Sequence, residues 1–342
     1  MSLDVKTLVF PVSIVFCLSS VSISDTTKNP STFPVSLLLK ETNFWCSLIE
    51  VTITSSGIKS KFLGNIKNIN YETKNEDLYK DKTTSEFFGS IGHLTELKLF
   101  KKDGLSSHFF KPKVFFRYAP GQMRKEESGS RLTTNDAFNI DRLSNINNFE
   151  TGNSLSLGID YEIKKNDLDK FNFSVAQIIS EKENKKMGTK TSMDEKLSDL
   201  VGSTKFSINE KINFNHQFAI DQNYQEINYN DFGINFDFQN FDMNFNYIEE
   251  DKHIGNQEYF KTNLSYKNKD KSLIKFETKR NLITNSSEFY DLSYEYINDC
   301  LRAGLVYRRE FYNDSELEPE NSLMFKITLT PFGNINTPSF NQ

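Results

Sequence analysis

Apolar residues recur at every second position along most of the chain downstream of about Gly57. In NSLSLGIDYE, Leu155, Leu157, Ile159 and Tyr161 alternate with Ser154, Ser156, Gly158, Asp160 and Glu162. The same period carries Phe171, Phe173 and Val175; Phe206, Ile208, Ile212 and Phe214; Phe232, Ile234, Phe236 and Phe238; and Phe241, Met243, Phe245 and Tyr247. Near the end come Leu292, Tyr294 and Tyr296, then DCLRAGLVYRREF with Leu301, Ala303, Leu305 and Tyr307 on one side and Arg302, Arg308 and Glu310 on the other, then Leu323, Phe325, Ile327 and Leu329. Strict alternation over such lengths predicts β-strands with one apolar and one polar face.

Several of these runs reach about 9 to 11 residues, the length at which a tilted strand crosses a bilayer. Strands of soluble proteins are commonly about 5 to 6 residues long. Connections alternate in length too: DFQNFDM and NYQEINYND are tight joins, whereas Ser180 to Leu200 is a long charged loop suited to an aqueous side. With shorter strands at 58–72, 86–101 and 106–118, the pattern predicts an all-β fold, an antiparallel transmembrane β-barrel with about 14 strands present. The polar faces are then candidate lumen lining, with Ser154, Ser156, Asp160, Glu162, Arg302 and Arg308 as named positions. A secreted soluble β-sandwich, enzyme or sugar-binding protein, is the alternative outside the membrane class, since alternation alone also fits a half-buried sheet.

The beginning of the chain breaks this pattern. Residues 1–23 contain the apolar stretch TLVFPVSIVFCLSSVSI, with a lysine before it and small residues near its end. This stretch reads either as a secretory leader or as a start foreign to the rest of the protein. Residues 24–56 carry no clear period and remain unassigned, residues 57–333 form the barrel region, and 334–342 are a tail.

Composition narrows the chemistry. The 342 residues include 31 Phe and 14 Tyr, yet 25% are charged, so apolar residues are spread thinly, as alternating strands require. A net charge of −5 with interleaved signs offers no clustered basic face for nucleic acid. His93, His108, His216 and His253 stand apart, and Cys17, Cys46 and Cys300 lack metal-ligand spacing. With no phosphate-binding glycine loop and no nucleophile elbow, neither a cofactor, a metal nor an enzymatic activity is expected.

Particular segments go beyond a generic barrel. KPKVFFRYAPGQMR (Lys111 to Arg124), DAFNIDRL (Asp136 to Leu143) and FETGNSLSLGIDYE (Phe149 to Glu162) resemble the barrel of the LptD family of LPS-assembly proteins. YEYINDCLRAGLVYRREF and NSLMFKITLTPFG are similar to that family's terminal strands, and TTSEFFGSIGHLTELKLF fits its pattern. The resemblance covers about residues 57–333.

It implies a Gram-negative outer-membrane component that delivers lipopolysaccharide to the cell surface as part of a full translocon. The family's barrel has roughly 26 strands, near the top of the usual bacterial range. The chain therefore resembles the family's C-terminal half, a fragment. The implied partners are lipopolysaccharide, membrane lipids, an LptE-like plug lipoprotein, the barrel-assembly machinery and, through an N-terminal domain not seen in this sequence, an LptA-like periplasmic bridge. Cys300 stands where the family carries a disulfide cysteine. Three readings stay open: a bridge to Cys46, a thiol whose partner this chain lacks, or no redox role. The last strand, Asn321 to Gly333, would edge the family's lateral seam, with Pro331 suiting an edge or simply ending the strand. A self-contained porin-like diffusion channel is the alternative within the membrane class.

Overall fold

The structure is a computed structural model that describes residues 12–25, 38–53, 57–71, 83–126, 130–143, 145, 147–166, 168–251, 255–268, 271–298, 301–311, 321–329, 333–336 and 340–341. Its strands are β1 (Val12–Asp25), β2 (Leu38–Ile53), β3 (Ile58–Tyr71), β4 (Thr84–Leu97), β5 (Leu99–Asp103), β6 (Ser106–Ala119), β7 (Gly152–Lys165), β8 (Leu168–Ser180), β9 (Leu200–Asn209) and β10 (Ile212–Ile220). There follow β11 (Ile227–Phe238), β12 (Phe241–Glu250), β13 (Gln257–Asn268), β14 (Ser272–Asn281), β15 (Ser286–Ile297), β16 (Leu301–Glu310), β17 (Asn321–Leu329), β18 (Gly333–Asn336) and β19 (Phe340–Asn341). The only helical turns among the described residues are the short 3-10 pieces Asp136–Phe138 and Thr189–Thr191.

Two compact units divide the chain, the first built mainly from residues up to Asn166 with 173–202 and 220–226, the second mainly from Ile227 onward. In the first, β1, β2, β3, β4, β6 and β7 pair antiparallel in succession, and β5 also pairs with β6. Glu96 faces Lys113 and Leu99 faces Phe110, so the register runs unshifted across the gap at Lys98. By the same register Pro112, which has no N–H to donate, stands opposite Leu97 at the end of β4, beside that gap. Counting those two as one partner of β6, the fifteen strands from β3 to β17 make fourteen, as the alternation predicts.

β1 occupies much of the stretch whose sequence reads as a leader or foreign start, and β2 lies in the segment without a period. Val12, Ile14, Val15, Val21 and Ile23 supply β-branched residues that suit a strand. At the other end, β18 and β19 both pair with β17, in and beside the expected tail. Pro331 and Cys300 lie outside the described residues.

Connections alternate in length, and DFQNFDM holds a tight join as expected, but NYQEINYND, expected as another, lies at the end of the six-residue connection between β10 and β11, on the longer-loop side. Two or three residues join β5 to β6, β7 to β8, β9 to β10, β11 to β12, β13 to β14 and β15 to β16, while the intervening connections are longer. Short turns on one side and long loops on the other are the habit of outer-membrane barrels, whose short turns face the periplasm.

In the second unit, β11 to β17 form an antiparallel meander with tight register. Phe238, Phe241, Tyr266, Ile274, Tyr294, Leu305 and Phe325 follow one another across seven strands on the exposed apolar face. On the opposite face the register lines up Asn235, Asn244, Asn263, Glu277, Asp291, Arg308 and Ser322. The apolar row would be a liability in water and suits hydrocarbon, while the other face carries cross-strand charge pairs. Lys261 and Glu277 pair at 2.7 Å, and Lys279 and Glu288 at 2.8 Å.

Candidate functional site: the covered polar face

The first unit shows the two faces of a strand most sharply on β6. Phe115 is 0% exposed and Phe116 is 50% exposed, one residue apart. Phe116, Val114 and Tyr118 look outward with Phe62, Ile66 and Ile91, whereas Phe115, Arg117 and Ala119 look toward a buried layer. That layer is formed by the described residues of the segment 120–151, the connection between β6 and β7, which fold back over the polar face of β3, β4, β6 and β7.

Two glycines make the fold-back possible. The chain leaves the wall at Gly121 with φ +115° and returns at Gly152 with φ +123°, conformations that side chains rarely allow. Phe138 then reaches Gly158, where an added Cβ would lie 2.6 Å from the ring. Gly158 is six residues along β7 from its start, so the segment descends about 20 Å at 3.3 Å per residue. Phe138 also helps Leu63 cover the cluster of Leu94, Phe115 and Ile140. Gly92 admits the Phe115 ring in the same way, at 2.6 Å from an added Cβ. Nearer the long-loop end, Phe149 packs with Ile69, Tyr71, Phe88 and Ala119, its ring 5.6 Å from that of Phe88.

Between the two apolar clusters lies a charged layer. Arg117 is fully buried; its Nε donates to the Ile140 carbonyl at 2.7 Å and its Nη2 to the Glu150 carbonyl at 2.6 Å. Arg142 grips the Glu150 carboxylate with Nε at 2.7 Å and with Nη2, and Nη2 also donates to Ser154 Oγ at 2.9 Å. Lys67 Nζ donates to the carbonyls of Asn148 at 2.7 Å and Asn145 at 3.3 Å, with Asp141 3.8 Å away. Arg124 pairs with Glu86 and stands over the Tyr71 ring at 5.0 Å. Burial pushes the Glu150 carboxyl up, but the Arg117 and Arg142 guanidinium groups outweigh it and hold the group below the ordinary carboxylate value. Burial raises Asp141, with Lys67 offsetting only part of the effect.

The loop 181–199 closes over this segment. Glu126 N–H donates to the Lys186 carbonyl at 2.7 Å, and Asn184 Nδ2 donates to the Thr151 carbonyl at 3.2 Å. Met187, Met193, Thr191 and Ser198 are buried in it. The charged stretch from Ser180 to Leu200 is therefore a packed cover and departs from the expected solvated loop. Its lysines point away from its buried methionines, so charge along the sequence hid the packing.

The positions expected to line a wet lumen divide. Ser154 and Ser156 are buried, the first against Arg142 and the second at 0% exposure opposite Phe115, because the segment covers them. Asp160 pairs with Lys113, and Glu162 sits 3.0 Å from both Lys111 and Lys164. In the second unit Arg302 lies 3.5 Å from Glu295, and Arg308 3.5 Å from Asp291 and 2.5 Å from Glu310. Sequence periodicity did not single out Arg117, Arg142, Glu150 or Lys67. A lone arginine in the aromatic run VFFRYA was the available signal. The described residues contain no cluster of His, Cys, Asp and Glu able to hold a metal ion.

A family model described as LptD, LPS transport system D, matches residues 94–287, more than half of the chain. That range includes the polar-face strands β6 and β7, the segment between them and the covering loop. No curated protein matches the sequence. Among solved structures, the siderophore receptor PirA from Acinetobacter baumannii is similar at 8% identity and a TM-score of 0.43, over 85% of this chain and 56% of that one. The FrpB iron transporter from Neisseria meningitidis is similar at 9% identity and 0.42, over 87% and 57%. A mutant porin of Rhodopseudomonas blastica is similar at 10% identity and 0.35, over 88% and 94%. The chain thus spans little more than half the length of the two receptors. With alternating faces and alternating connections, the chain is an outer-membrane protein of antiparallel β-barrel type, and it belongs to the LptD family.

Proposed function

We propose that this chain carries lipopolysaccharide to the surface of a Gram-negative outer membrane as the barrel part of an LptD-type translocon. The observation that carries the reading is the family match across residues 94–287. The two-faced strands support it physically. A lipid-linked saccharide needs hydrocarbon on one side of a wall and hydrogen-bonding groups on the other, and the strands offer both. The role is passage without bond making, so it calls for no catalytic group. An LptE-like plug lipoprotein, an LptA-like periplasmic bridge reached through a further domain, and the barrel-assembly machinery are the partners this reading entails.

A porin-like diffusion channel is favoured less, because the segment 120–151 and the loop 181–199 cover part of the polar face of β3, β4, β6 and β7. The test is depletion of the protein in its own host, followed by labelling of surface-exposed lipopolysaccharide and measurement of small-solute uptake. Loss of surface lipopolysaccharide with uptake unchanged is the expected result. Unchanged lipopolysaccharide with reduced uptake would establish the channel instead.

A further inference from the structure

The polar face of the first unit changes character away from the covered layer, toward the short turn between β5 and β6. Lys98, Phe100 and Lys102 alternate there with Leu99 and Lys101, which belong to the other face. Contacts across the sheet establish the sharing: Lys98 Nζ stands 4.6 Å over the Phe109 ring, and the Phe100 and Phe109 rings are 5.1 Å apart. Lys111, Lys113 and Lys164 continue the same face, joined to Glu162 and Asp160.

The charges do not balance. Glu162 serves two lysines and Asp160 one, while Lys98 and Lys102 are exposed and have no carboxylate partner among the described residues. The neighbouring pair of Lys61 and Glu96, 3.7 Å apart, is neutral and leaves the excess in place. Opposite signs would be the economical filling for a merely structural strand, as the cross-strand pairs of the second unit show. Two unmatched ammonium groups beside the exposed Phe100 ring instead suit an anionic saccharide, since lysine binds phosphate as a point charge and needs no fixed fork.

Resting on the lipopolysaccharide reading above, we propose that Lys98 and Lys102, with Lys111 and Lys164 behind them, form a receiving site for the phosphorylated sugar head of a glycolipid at the short-turn end of the polar face.

The test uses the full chain in detergent micelles and titrates phosphate-bearing rough lipopolysaccharide, the same material after enzymatic dephosphorylation, and phosphatidylglycerol. Lys98→Glu with Lys102→Glu should weaken binding of the phosphorylated glycolipid by about tenfold or more at low salt, given the usual worth of a lysine near anionic headgroups. Dephosphorylation should weaken binding to the unaltered chain similarly, and Lys101→Glu, one residue away on the opposite face, should leave it within about twofold. Equal loss in Lys101→Glu, no loss in the double variant, or equal affinity for phosphatidylglycerol would overturn the site while leaving the transport reading intact. Failure of the unaltered chain to bind lipopolysaccharide at all would overturn both.

Discussion

Arg117 on β6 and Glu150 at the end of the segment 120–151 meet twice: Arg117 Nη2 donates to the Glu150 carbonyl at 2.6 Å, and Nη1 lies 3.5 Å from its carboxylate. Arg142, from the segment itself, holds the same carboxylate, so one buried anion joins wall and cover. Removing a single partner would leave an uncompensated buried charge, which costs about 3–5 kcal/mol in such settings. Glu150→Ala should therefore open the segment. Tryptic cleavage after Arg142, which is buried in the intact protein, should accelerate strongly in that variant. A cleavage rate matching that of the unaltered chain would show that the pair does not hold the cover down.

Acid should act on this layer in a defined direction. Glu150 is held below its ordinary value, so its contribution is present above the unfolded carboxylate value of about 4.3 and is lost as pH falls through the lower folded value. Asp141 is shifted the opposite way, so its ionised form weakens the fold as pH rises through its raised value. At pH 7, Glu150→Gln should lower stability in urea by about 3 kcal/mol, while Asp141→Asn should raise it. Loss in both variants would refute the opposite signs.

The hinge glycines separate backbone strain from crowding. An alanine Cβ at Gly152 would touch nothing within 4 Å, so Gly152→Ala should destabilise through φ alone, by about 1–2 kcal/mol. Gly92→Ala instead pushes on the Phe115 ring and should cost about 1–3 kcal/mol as overpacking. Combining Gly92→Ala with Phe115→Leu should recover part of that loss, whereas no second substitution near Gly152 should rescue its strain. Thermal unfolding of the three variants distinguishes the two causes.

Charge on the apolar face tests the membrane assignment. Leu305→Arg places a guanidinium in the row shared with Tyr294 and Phe325, and should cost about 2–4 kcal/mol if that row lies at mid-bilayer. Gly304→Ser, on the polar face beside it, should be tolerated, since its neighbours stand 3.9 Å from an added Cβ. Folding into lipid vesicles, followed by urea titration, measures both.

Most of the strands were legible because each keeps polar and apolar residues in separate registers, as Leu155 to Glu162 and Leu301 to Glu310 do. β1 was hidden for the opposite reason: its sequence is apolar at both parities and has the look of a leader. The covered layer was hidden by distance. Lys67 meets Asn148 across 81 residues, and the buried Ile140 and Phe149 and the half-buried Phe138 show no period that marks them as packed. Ser154 and Ser156 read as wall facing water because a period of two identifies a face but not what lies on it. The resemblance to the family located DAFNIDRL and FETGNS without indicating that Arg142 and Glu150 would meet there.

The central claim is that lipopolysaccharide passes along the polar face and not along the outer one. A photo-activatable residue placed at Asp160, and separately at Ile159 beside it on the exposed apolar face, tests this in growing cells. Light should yield a lipopolysaccharide adduct at position 160 and markedly less at 159. Equal adducts at both positions, or an adduct at 159 alone, would contradict the account.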